Sequence, residues 1–188
     1  MSATAVSTWF GADFAQLRPL LQQLHREGGV LSGSVDLAIP GGLAGWVGRR
    51  LAAKMGIPTA AQTCPLEVTI RHRDNQLQWS RRFASGHTML STFEPVGRHA
   101  SGYWRESTGN TELHLQVDIR DGGWHWRCVG MRVAGLPLPL WLAPRTRAYK
   151  QIEADQYRFY VGFSLPLLGT LLSYSGLLQA QSLGANTP

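Results

Sequence analysis

Apolar and polar residues change their spacing along this chain, and the changes separate helical from extended segments. Phe14, Leu17, Leu21 and Leu24 recur at helical spacing, so a helix is expected from an Asp13 cap to about Arg26, ended by Gly28-Gly29. Leu31, Val35, Leu37 and Ile39 then alternate with small or polar residues, as in a strand, until Pro40-Gly41-Gly42 breaks it. A second helix is expected over Leu43 to Met55, stopped by Gly56 and Pro58. Gly45 and Gly48 each cost ~1 kcal/mol against alanine inside a helix. Their presence there points to close packing.

From Leu66 onward the period is two. Leu66, Val68 and Ile70 share one strand face, and Leu77, Trp79, Arg81 and Phe83 share another after an Asp74-Asn75 turn. Ser85-Gly86 turns the chain again, and shorter strands follow over Met89–Phe93 and Tyr103–Glu106. Leu113, Leu115, Val117 and Ile119 alternate with Glu112, His114, Gln116 and Asp118, and Asp121-Gly122-Gly123 closes a hairpin with Trp124–Val133. The prolines between Gly135 and Pro144 exclude a central strand and leave an apolar loop. Its Leu138 and Trp141 are expected to pack over a barrel end or the glycine-rich helix. Thr146–Ala154 and Gln156–Ser164 form another hairpin, and Thr170–Leu178 is a final strand.

This pattern predicts an α+β domain, mainly antiparallel β. Roughly eight to ten strands form a barrel or strongly curved sheet, with two N-terminal helices covering one opening or face. The domain is expected over 13–179, with 1–12 as a loose leader and 180–188 as a frayed tail. A chain of 188 residues with 44% hydrophobic residues can bury a core without disulfides or metals. No uninterrupted apolar run reaches the ~18 residues of a membrane-spanning helix, and no secretory signal is recognised, so the protein is expected in the cytoplasm or on a membrane surface. The net charge is +6, and arginines supply all the positive side chains except Lys54 and Lys150. They are scattered, so no basic block marks a nucleic-acid site.

Little in the sequence carries recognisable chemistry. Gly41-Gly42 lacks the spacing of a phosphate or dinucleotide loop. No serine lies in a nucleophile elbow. The six histidines are dispersed, so neither a metal nor a cofactor is expected. Cys128 falls in an apolar strand, where a thiol is inert. Arg81 is the exception. Alternation places it on an apolar face, where an unpaired charge is very costly. Glu106 is its first candidate partner and Glu153 its second. Trp126 and Tyr149 complete the candidate ligand-binding set, and no catalytic residue stands out.

Several motifs resemble one family. These are Trp79-x-Arg81-Arg82-Phe83, Glu106-x-x-Gly109, Gly135-x-Pro137-Leu138-Pro139-x-x-Leu142-x-Pro144, Pro166-Leu167-x-Gly169 and Tyr174-x-Gly176. With the Leu24-His25 segment and the glycine-rich helix, they resemble the bacterial domain of unknown function 4166 over most of residues 20–178. The resemblance implies a domain found alone or fused to a saccharopine-dehydrogenase-like domain, and it brings no activity or catalytic residue.

Three functions then compete. The first is binding of an apolar or amphipathic small molecule in a barrel cavity, with Arg81 as anchor. The second is an enzyme, or an accessory domain to a reductase partner, motivated by the implied fusion. The third is a structural or membrane-surface role through Leu136, Leu138 and Trp141. Nucleic acid is disfavoured, because the aromatic residues follow the burial pattern.

Overall fold

The computed structural model describes residues 3–60, 62–83 and 86–181. Ten antiparallel strands close into one barrel. They are β1 (Gly29–Ala38), β2 (Thr63–Arg73), β3 (Gln76–Phe83), β4 (Thr88–Val96), β5 (Tyr103–Thr108), β6 (Thr111–Arg120), β7 (Gly123–Val133), β9 (Arg145–Glu153), β10 (Gln156–Leu165) and β11 (Gly169–Gln181). The two-residue β8 (Leu136–Pro137) only extends the end of β7. The order is β6-β5-β4-β3-β2-β1-β11-β10-β9-β7, and β7 pairs back onto β6. Closure leaves no long free edge to pair with another chain.

Turn chemistry sets the register. Asp121 and Gly122 both adopt positive φ, as do Ala154 and Asp155. Two consecutive residues of that kind form the tight turn whose twist matches paired strands. The first aligns Ile119 with Trp124, and the second aligns Ile152 with Tyr157. The expected alternation over β6 follows: Leu115 and Val117 are buried, and Leu113 and Ile119 pack against the core at partial burial. The expected Ser85-Gly86 turn involves Ser85, which lies outside the described residues.

The barrel has two different ends. At the closed end, the residues expected to be a loose leader form α1 (Ala5–Phe10), capped by Thr4, whose hydroxyl accepts from Ser7 N at 3.2 Å. Val6, Trp9 and Phe10 are buried there. The reason is aromatic: Trp9 packs edge-on against Trp104 at 5.4 Å and Phe10 against Trp124 at 4.8 Å. Trp9 Nε1 also donates to Val96 O. Helicity did not predict this, because six residues are too few for periodicity to register.

The helix expected from Asp13 is broken in two. A 3₁₀ segment (Gly11–Gln16) is followed by α2 (Pro19–Glu27). Pro19 disfavours helical backbone at Arg18, which is extended at ψ 145. Asp13 does not cap this helix but bonds His99 Nδ1 at 2.7 Å, tying the segment to the β4–β5 loop. At the chain's other end, β11 remains paired to β1 through Gln181, two residues beyond the expected limit.

At the opposite end α3 (Gly42–Lys54) lies against β11. A Cβ on Gly48 would sit 1.9 Å from Leu171 O, and one on Gly45 would sit 1.8 Å from Pro40 O. These glycines therefore do allow close packing. The Gly135–Pro144 loop is not covered as expected. Trp141 is 73% exposed and Leu138 half-buried, because β8 pins the loop to the rim while α3 is held on β11.

Candidate functional site

The barrel encloses an open cavity of about 760 Å³. Its wall is largely apolar, with side chains such as Leu66, Met89, Leu113, Met131 and Phe163 from five strands. Its mouth opens at the α3 end, bordered by Leu51, Lys54 and Met55 of the helix and by Leu90, Val133 and Pro144. The floor rests on the helices of the closed end.

Polar groups interrupt that wall. Arg81 points inward as its strand parity predicts, and its guanidinium lies 3.5 Å from Glu106 Oε1, with side-chain exposures of 13% and 15%. Arg81 also donates to Ser91 Oγ at 2.8 Å, and Ser91 shares a hydrogen bond with Thr108 at 2.5 Å. Glu106 is thus the partner and Glu153 is not. Glu153 is exposed on the outside of the barrel, where it accepts from Arg158 Nε at 2.9 Å. Its parity opposes that of Lys150 and Ile152, so it faces away from the cavity.

Trp126 lines the cavity. Tyr149 also borders it, but alternation along β9 turns its ring outward, where it stacks between His125 and Tyr160. The site residue that sequence reasoning missed is Lys150. It is only 2% exposed, and Nζ lies 3.7 Å from the Trp124 ring centroid and 4.5 Å from that of Trp79. Nζ and Nε2 of the fully buried His25 share a hydrogen bond at 2.7 Å. This contact joins α2 to the barrel floor.

Burial is the main cause that holds the Lys150 amine well below its ordinary pKa of 10.5, and the Arg81 charge adds to it. Burial also depresses His25, with the Lys150 charge second. Nδ1 of His25 has no partner among the described residues. Trp79 Nε1, beside the cavity, has none either. Among the described residues no group of three or more His, Cys, Asp or Glu side chains gathers as metal ligands. Both cysteines are free thiols.

The Lys150 environment has a measurable consequence. The unfolded chain holds the lysine proton up to about the ordinary value, whereas the folded chain loses it at lower pH. Unfolding then takes up a proton, and stability rises with pH throughout the window between the two pKa values. The stability of wild type relative to Lys150→Met should rise above neutrality by up to about 1.4 kcal/mol per pH unit. Urea unfolding of both proteins across that range checks it, because a parallel pair of curves means Lys150 keeps an ordinary pKa.

A sequence profile of one family matches residues 17–178, which is most of the barrel with α2 and α3. The chain belongs to the DUF4166 family, described as a domain of unknown function. Comparisons with curated proteins and with solved structures gave no match. The family segment contains Arg81, Glu106, His25 and Lys150, while α1 lies outside it. The aromatic seal made by Trp9 and Phe10 lies outside the segment the family profile covers.

Proposed function

We propose that this DUF4166 barrel is a binding module for one apolar or amphipathic small molecule, held with its acidic or otherwise acceptor-rich head at Arg81 and Lys150. The observation that supports this reading most is a single cavity whose largely apolar wall carries the inward Arg81 and the buried Lys150. A volume of about 760 Å³ suits a ligand of metabolite or fatty-acid size. Among the described residues the Arg81 guanidinium meets one carboxylate, that of Glu106, and an anionic head adds a second acceptor beside it.

Displacement of a dansyl-labelled fatty acid by dodecanoate and by dodecanol tests the reading. Both should compete in wild type. Arg81→Met should weaken dodecanoate roughly tenfold or more, since hydrogen bonds to charged groups contribute about 1.5–3 kcal/mol. Dodecanol should change much less. Failure of both probes to compete in wild type, or equal weakening of both in the variant, would defeat the proposal.

Lys150 supports a second reading as an enzyme or reductase accessory domain. An amine whose pKa is lowered by burial gives up its proton more readily and can act as a base or a nucleophile. Borohydride trapping of a long-chain aldehyde on Lys150 is the result that would favour chemistry over binding alone.

A further inference from the structure

The two ends of the barrel differ in more than their helices. Large apolar side chains are exposed at the cavity-mouth end, on elements that are separate in sequence. Leu43 and Trp46 project from α3. Leu136, Leu140, Trp141 and Leu142 project from the segment between β7 and β9. Leu167 is fully exposed on the β10–β11 turn, with Leu90 and Val133 at the neighbouring strand ends. Among the described residues every exposed large apolar side chain lies at this end. Scattered exposure is ordinary, but gathering at one pole is not.

Charge divides along the same axis. The connections at the mouth end, residues 39–62, 84–87, 109–110, 134–144 and 166–168, contain no aspartate or glutamate. They carry Arg49, Arg50 and Lys54, all exposed, and the Arg50 guanidinium lies 4.3 Å above the Trp46 ring. Exposed Arg132 and Arg145 flank the apolar segment on β7 and β9. The connections at the closed end hold five acidic residues, Asp13, Glu27, Asp74, Asp121 and Asp155, against three arginines, Arg18, Arg26 and Arg98. An apolar crown with a cationic collar and no carboxylate in its connections matches an anionic lipid surface: leucines enter the acyl boundary, tryptophans occupy the interface and arginines meet phosphates.

We infer that the mouth end docks on anionic membranes, with Leu140, Trp141 and Leu167 inserting and Arg49, Arg50 and Arg145 contacting lipid phosphates. The cavity mouth then faces the bilayer, and an apolar molecule passes between membrane and barrel without crossing water. Docking rests on the crown and its charges. Only the exchange step rests on the proposed binding function, so vesicle binding in a protein that fails to bind dodecanoate separates failure of one from failure of the other.

Among the described residues no helix is long and apolar enough to cross a membrane, and the inference concerns adsorption alone. Co-sedimentation with vesicles of phosphatidylcholine and phosphatidylglycerol tests it. Wild type should pellet with mixed vesicles, less so with phosphatidylcholine alone and less at high salt. The exposed triple variant Leu140→Ser, Trp141→Ser and Leu167→Ser should keep the wild-type fold and lose at least about tenfold in partitioning. Wild type remaining in the supernatant overturns the inference, as does undiminished binding by the triple variant. A dimer in sedimentation velocity that the triple variant abolishes, without vesicle binding, assigns the crown to a second copy instead.

Discussion

Replacing Trp9 by alanine should destabilise the domain by about 3–5 kcal/mol, the range for removing a buried tryptophan. Trp9 is 3% exposed and meets Phe10, His99 and Trp104 through edge-on ring contacts of 5.0, 5.5 and 5.4 Å. Truncation leaves a void beneath the cavity floor and strands Val96 O, which accepts from the indole. The site has little room to collapse, because Trp104 and Trp124 are already fully buried against the barrel wall. Thermal and urea unfolding of the variant check the magnitude. A loss below about 0.5 kcal/mol, the range of surface changes, would mean that α1 is not part of the folded core.

The Arg81–Glu106 pair should give the next largest effect. Removing one member of a buried pair typically costs ~3–5 kcal/mol because the other is left uncompensated. The open cavity admits water near this pair, which favours the low end for Arg81→Met. Glu106→Gln should cost more, since it leaves a buried guanidinium charge without its carboxylate. The double variant should cost less than the sum of the two. Additive losses would mean that the 3.5 Å contact contributes nothing of its own.

Both effects bear on what was legible in the sequence. Period-two alternation carries strand direction, so the inward aim of Arg81 and its pairing with Glu106 followed from the pattern. The same reasoning reaches Lys150. The Ala154-Asp155 turn sets Lys150 opposite Phe159, and Thr146, Ala148 and Lys150 all line the cavity. Following Tyr149 and Glu153 instead took the outer parity of β9, which a one-residue shift exchanges for the inner one. His25 was legible as a helix end but not as a floor group, because α2 meets β9 only in three dimensions. The α1 seal left too short a pattern, and the broken helix at Arg18-Pro19 needed the rule about residues before proline more than the periodicity of Phe14, Leu17, Leu21 and Leu24. The Gly135–Pro144 segment was recognised as a non-strand. Its exposure follows from where α3 packs, which is a tertiary fact.

The central claim is that the barrel interior, not its surface, holds an amphipathic molecule. The most direct measurement is a methyl-labelled NMR titration with dodecanoate. The account predicts intermolecular contacts from the chain to the methyls of Leu66, Leu113 and Met131, all of which line the cavity, together with a shift of the Arg81 guanidinium signals. Contacts confined to the exposed Leu136, Leu140 and Leu142, with the interior methyls unmoved, would contradict it.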